Sequence, residues 1–139
     1  MHQRCVVRLA ALLLAAATAE HEVLPAPFDW AVNERTKFQP DVLVARREEV
    51  GDRRLEATPL LVVEVLSPST HLADLTLKRT AYERAGVPAY WIVDPEVPQL
   101  TVLRLDQGRY ATAAGASGSD ACAADFPYAL EVVPASLVA

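Results

Sequence analysis

Three residues carry the chemical interest of this chain. Glu64 lies inside the apolar run "LLVVEVL" (60–66), Asp41 opens a second apolar run in "PDVLVA", and Lys78 falls in the helix-forming segment "HLADLTLKRTAYERAG". A carboxylate in a strand covered on both faces loses several kcal/mol of hydration unless it is paired or bound to a cation. If the two Val- and Leu-rich strands are neighbours, both carboxylates converge on one point. One of them must then be protonated, or a cation must lie between them. Hard divalent ions, Mg2+ above all, take one or two carboxylates and keep several waters. After the Glu64 strand the chain turns at "SPST" and returns as a helix, which brings the Lys78 ammonium back over the strand's end. A cation plus a lysine suits phosphodiester hydrolysis, where water must be activated and growing negative charge stabilised. Asp74, Lys78 and Tyr82 are spaced four apart, so they share a helical stripe that gives Lys78 a neighbour on each side.

Plainer readings stand beside this one. Asp41 after Pro40 can cap a turn, Lys78 with Glu83 and Arg84 can be a solvated helix face, and Glu64 can pair with an arginine. Other chemistries find less support. His2, His21 and His71 show no metal-binding spacing, and Ser67 and Ser69 have no nucleophile elbow around them. There is no Gly-rich phosphate loop either.

The elements that must position these residues follow from pattern. Val23-Leu24, Phe28 to Val32 and Asp41 to Ala45 are short extended pieces, with Pro25 and Pro27 marking sheet edges. "VGDRRLEATP" reads as a charged loop. Leu60 to Leu66 reads as a central strand, ended by Pro68, with the hydroxyls of "SPST" available to cap the next helix. In that helix Leu77, Ala81 and Ala85 form one stripe, and Gly86 is the C-cap. "VPAYWIVDP" is a second buried strand, and "PQLTVLRLDQGRYATAA" alternates around "DQG" as a hairpin does. Residues 111–125, "ATAAGASGSDACAAD", have the composition of a mobile loop. The order predicts an α/β (α+β) fold, a mixed sheet flanked by helices with one crossover helix.

A length of 139 residues suits one domain. Apolar residues at 52% and charged residues at 22% place it among globular chains. Thirteen Lys and Arg against eighteen Asp and Glu give a net charge of -5, so no broad basic surface for nucleic acid is indicated, although a local groove can still be basic. Cys5 and Cys122 are far apart and in no CxxC pairing, which fits free thiols. The start, "MHQRCVVRLAALLLAAATAE", supports two readings: a secretory leader ending at the small-x-small "ATA", or a core helix with Val6, Leu9, Leu13 and Ala16 on one face.

Together, "QPDVLVAR", "LLVVEVLSPST" and "DLTLKRTAYERAGVPAYWIVDP" resemble the bacterial restriction-endonuclease family long filed as a domain of unknown function, within the PD-(D/E)XK nuclease superfamily. The resemblance runs from about Gln39 to Leu105. It implies a restriction-endonuclease-like fold, Asp41 and Glu64 as metal ligands, and Lys78 as the catalytic lysine, with Tyr82 and Asp74 at recurring positions of less defined role. The superfamily's lysine normally lies two residues beyond the glutamate, where this chain has Leu66; the resemblance implies that the lysine has migrated to the helix. "HQRCVVRLAALL" is similar to the helix preceding these strands in the family, which favours a cytoplasmic core helix over a leader.

The expectation is therefore one nuclease-like domain over residues 1–139, an Mg2+-dependent DNA endonuclease in which Mn2+ can substitute. Family members usually carry a segment like "YELIDGEL" before that helix, and this chain is expected to lack it. DNA is the expected substrate, the cytoplasm the expected location, a membrane association is not expected, and a homodimer is consistent with how many nucleases of this fold cut both strands. The alternative from another class is an inactive nuclease-fold module that binds nucleic acid or protein.

Overall fold

The computed structural model describes residues 1–139. Along the chain run α1 (His2–Ala16), β1 (His21–Pro25), β2 (Asp29–Ala31), β3 (Lys37–Phe38), β4 (Val42–Arg46), β5 (Arg54–Leu55) and β6 (Leu61–Val65). They are followed by α2 (Leu72–Ala85), β7 (Ala89–Asp94), β8 (Gln99–Asp106), β9 (Arg109–Ser117), β10 (Cys122–Ala124), β11 (Leu130–Val132) and α3 (Pro134–Val138).

Six strands form the central sheet in the order β1-β4-β6-β7-β8-β9. Within this sheet only β6 and β7 are parallel, and α2 is the crossover that joins them. The continuous apolar run around Glu64 is explained by this placement. All five residues of β6 are buried between β4 and β7, with cover on both faces.

Alternate residues of each strand face different layers. Val42, Val44, Leu61, Val63, Val65, Trp91 and Val93 turn to one side, where Cys5, Val6, Leu9 and Leu13 of α1 meet them together with Cys122, Val132 and Leu137. Leu43, Ala45, Val62 and Tyr90 turn to the other side, against Tyr82 of α2 and against Trp30 and Leu55. Trp30 and Leu55 belong to a small sheet, β3-β2-β5, which covers this second face beside α2. The N-terminal segment is thus a core helix, with Leu9 and Leu13 fully buried. No helix in the chain is long and apolar enough to cross a membrane.

The structure departs from the sequence pattern in four places. Residues 111–125 are mostly strand, with only a short turn between: β9 continues to Ser117 along β8 past an irregularity at Val102/Leu103, and β10 pairs with β11. Pairing to a well-formed neighbour overrides the weak strand propensity of Ala and Gly. The charged segment after Val50 contains β5, whose Leu55 is fully buried. The "SPST" hydroxyls do not cap α2, whose N-cap is His71 with no side-chain bond. Instead Thr70 Oγ1 accepts the Ser67 N–H at 2.9 Å and closes the turn itself. Finally, Leu77 is exposed, and the helix turns Leu75, Lys78 and Tyr82 inward instead. Gly86 does end α2, with a φ of 79° that a left-handed C-cap requires.

Candidate active site

The β4–β6 ladder pairs Val42 with Val63, and at its end Asp41 and Glu64 meet. Asp41 is held from both sides. Its carbonyl accepts the Ala26 N–H at 3.0 Å, which prolongs the β1–β4 pairing past Pro25. Its Oδ2 accepts the Val65 N–H at 2.7 Å, satisfying a backbone donor of β6 that the finished ladder leaves over. The other carboxylate oxygen, Oδ1, accepts no hydrogen bond from the protein.

Glu64 is the chain's one buried charged residue, 6% exposed. Its two oxygens have different partners, both from α2. The Tyr82 hydroxyl donates to Oε1 at 2.6 Å, and Lys78 Nζ lies 3.3 Å from Oε2. Residues 78 and 82 are one turn apart, so a single helical stripe supplies both. Tyr82 is locked by aromatic neighbours, edge-on to Tyr90 with ring centres 5.1 Å apart and tilted against Trp30 at 5.7 Å. Burial raises the Glu64 pKa above the ordinary carboxylate value; the Tyr82 hydrogen bond and the Lys78 charge oppose this, and the Asp41 charge adds to it. Burial, followed by the Glu64 charge, pushes the Tyr82 phenol far up, so it remains a donor.

A cavity of about 180 Å3 opens here, lined among others by His2, Asp41, Glu64, Thr70, Asp74 and Lys78. Larger hollows elsewhere, such as one of about 520 Å3 between Ala19, His21 and Arg47, bring no second carboxylate against a buried one. Of the five residues singled out by the sequence, Asp41, Glu64, Lys78 and Tyr82 come together through direct contacts or a shared strand end. Asp74 lines the same cavity but has neither an ion pair to Lys78 nor any side-chain hydrogen bond, so the stripe does not flank the lysine on both sides as its spacing suggested. Glu64 pairs with a lysine and a tyrosine, and with no arginine.

His2 was not a candidate by motif, yet its Nε2 lies 3.4 Å from Asp41 Oδ2. A lone histidine at a helix start has no spacing partner, so no sequence signal could have singled it out. The approach depends on α1 and β4 meeting at the end of the sheet.

No three His, Cys, Asp or Glu side chains are gathered into a ready-made metal cage. The donor set nevertheless fits a hard divalent cation that keeps most of its waters. Such ions need only one or two carboxylates, and here Asp41 Oδ1 is free of protein partners while Glu64 lies close enough for the two charges to interact.

A family model described as "Putative restriction endonuclease" (Uma2) matches residues 1–132. No curated protein matches the chain. Among solved structures, the chain is similar to one described as a putative nuclease belonging to DUF820 from Anabaena variabilis ATCC 29413. The TM-score is 0.76 at 16% identity, covering 99% of this chain and 79% of that one. At that identity the likeness establishes a shared nuclease-type fold, a mixed sheet flanked by helices. With its family match spanning both the α1 helix and the strand-and-helix unit that carries Glu64 and Lys78, this chain belongs to the Uma2 family.

Proposed function

We propose that the chain, taken as one nuclease-like unit over residues 1–139, is a divalent-metal-dependent endonuclease that hydrolyses DNA phosphodiester bonds. Mg2+ is the expected ion, with Mn2+ as a substitute. The observation that carries this reading is the convergence of Asp41, buried Glu64 and Lys78 at one cavity. A nuclease role is what the family and the fold support in general terms.

In this reading Asp41 and Glu64 hold the ion, which when bound supplies an acidified water and neutralises phosphate charge. Lys78 has a second duty. Its side chain is 42% exposed and lines the cavity as well as pairing with Glu64, so its ammonium can orient the attacking water and stabilise the negative charge that grows on the phosphate. Tyr82 is a positioning residue that fixes Oε1 and leaves Oε2 towards the lysine.

A second reading, an inactive nuclease-fold module that binds nucleic acid or protein, draws on one observation. Both Glu64 oxygens already have protein partners, so the buried carboxylate is compensated without a cation. Plasmid cleavage in Mg2+ or Mn2+, compared with Glu64→Ala and Lys78→Ala, decides between them. Cleavage by the parent chain alone supports the enzyme. Equal cleavage by all three points to a contaminant and ends the assignment, and no cleavage with retained DNA binding supports the inactive module.

A further inference from the structure

We infer that the outer edge of β9 is the seam of a homodimer, in which two copies of this chain pair β9 against β9, antiparallel about a two-fold axis. The inference is independent of any ion at the cavity.

The two edges of the central sheet are built differently. β1 is five residues long, carries His21 and Glu22, and ends at Pro25. Arg47 lies along it, donating from Nη2 to the His21 carbonyl at 3.2 Å and pairing with Glu22 at 3.4 Å. A short run, charge and proline are how an edge is kept from pairing with another chain. Beyond Arg109, β9 has none of these. It is nine residues long, and from Tyr110 to Ser119 the chain has neither a charged residue nor a proline. Ala111, Thr112, Ala113, Gly115 and Ser117 are exposed.

The ends of β9 are closed and its middle is open. At the start, the outward groups of Tyr110 are taken by α2: the N–H donates to Glu83 Oε2 at 2.7 Å, and the carbonyl accepts from Arg79 at 2.9 Å. At the end, the Ser117 carbonyl accepts the Asp120 N–H at 3.2 Å. Backbone groups of an antiparallel strand alternate between its two sides. Thr112 therefore points outward like Tyr110, and the irregularity opposite Val102/Leu103 moves the next outward position to Gly115. No hydrogen bond from outside the β8 ladder reaches Thr112 or Gly115.

A second copy is the occupant these positions fit. With Thr112 of each copy opposite Gly115 of the other, both N–H and both C=O groups on each strand are paired, the self-complementary arrangement that a two-fold axis requires. The centre falls between Ala113 and Ala114, whose methyl groups let two backbones approach. Charge agrees with this. Each chain carries -5 and repels its like elsewhere, but the seam is uncharged, and its antiparallel sense sets Arg109 of one copy near Asp120 of the other. A seam this short falls below a standard interface, so the dimer is weak and concentration-dependent.

The test is sedimentation velocity on the full chain without metal, from low to high micromolar, with amide exchange followed residue by residue by NMR over the same range. The parent chain should pass from monomer to dimer as concentration rises, and exchange at Thr112 and Gly115 should slow in step. Thr112→Lys sets like charges along an exposed edge, so it should weaken the dimer about tenfold or more with the melting temperature unchanged. A chain that stays monomeric throughout would overturn the inference and leave the edge to a strand of another protein. A dimer whose Thr112 and Gly115 amides exchange as fast as in the monomer, or one that Thr112→Lys leaves intact, would overturn it too. Exchange is read in the parent chain, so a variant that failed to fold would not hide the outcome.

Discussion

Tyr82 and Glu64 are joined by a 2.6 Å hydrogen bond between a phenol that stays protonated and a carboxylate buried to 6% exposure. The two residues are eighteen positions apart and on different elements. The bond is what makes a charged group tolerable in the middle of β6, because a buried acceptor without a donor keeps its full desolvation cost.

Tyr82→Phe keeps the ring contacts with Trp30, Phe38 and Tyr90 and deletes only the hydroxyl. The expected cost is about 1 to 3 kcal/mol, the value for a buried group left without its partner. A lowered urea midpoint at unchanged slope would show it; an unchanged midpoint would mean that water or Lys78 replaces the phenol.

Glu64 should also set a pH dependence of stability. Its pKa is raised by folding, so the native state binds the proton more tightly than the unfolded chain does. Stability from this group is then fully present below the unfolded value of about 4.5 and is lost as pH rises through the higher folded value. Relative to Glu64→Gln, the parent chain should lose Tm as pH rises over that window, without metal. A Tm difference that stays flat with pH would contradict the raised value.

Lys78→Met separates the lysine's role from that of a metal ligand. The substitution removes the ammonium from the 3.3 Å contact with Glu64 but leaves both carboxylates. Mn2+ binding by calorimetry should persist while DNA cleavage falls by about a hundredfold or more, the scale of losing one charge-stabilising group. Loss of Mn2+ binding in this variant would assign the lysine to building the site instead.

Leu9→Ala tests the N-terminal helix. Leu9 is fully buried, so the substitution should cost about 2 to 5 kcal/mol. Leu14 on the same helix is 61% exposed, and Leu14→Ala should leave stability nearly unchanged. Similar melting of both variants would mean that α1 does not pack as described.

Much of the site was legible because its residues violate a local rule. A glutamate in an apolar strand and a strand-turn-helix of fixed length are visible without tertiary information, and the neighbouring Asp41 strand needed only one pairing, which the β4–β6 ladder supplies. Long periodic elements were legible too, including β6, α2, β7 and the hairpin closed at Gln107-Gly108. Strands of two or three residues such as β3, β5 and β10 were not, since they are too short to show a period and exist by pairing alone. The inward face of α2 is obscured in the sequence because Leu77, Ala81 and Ala85 share the spacing of an apolar stripe, whereas the helix buries Tyr82 and leaves Leu77 and Leu72 exposed. His2 was invisible for the same reason as the short strands, having no local partner that could mark it.

The bond from the Val65 N–H to Asp41 Oδ2 also makes the site a checksum on the sheet. Strand side chains alternate faces, so a slip of one residue between β4 and β6 would carry the carboxylates to opposite sides and strand the Val65 donor. Only a chain that has threaded its central strands correctly can bring Asp41 beside Glu64. Whatever this pocket does, misfolded copies are disarmed by their own error.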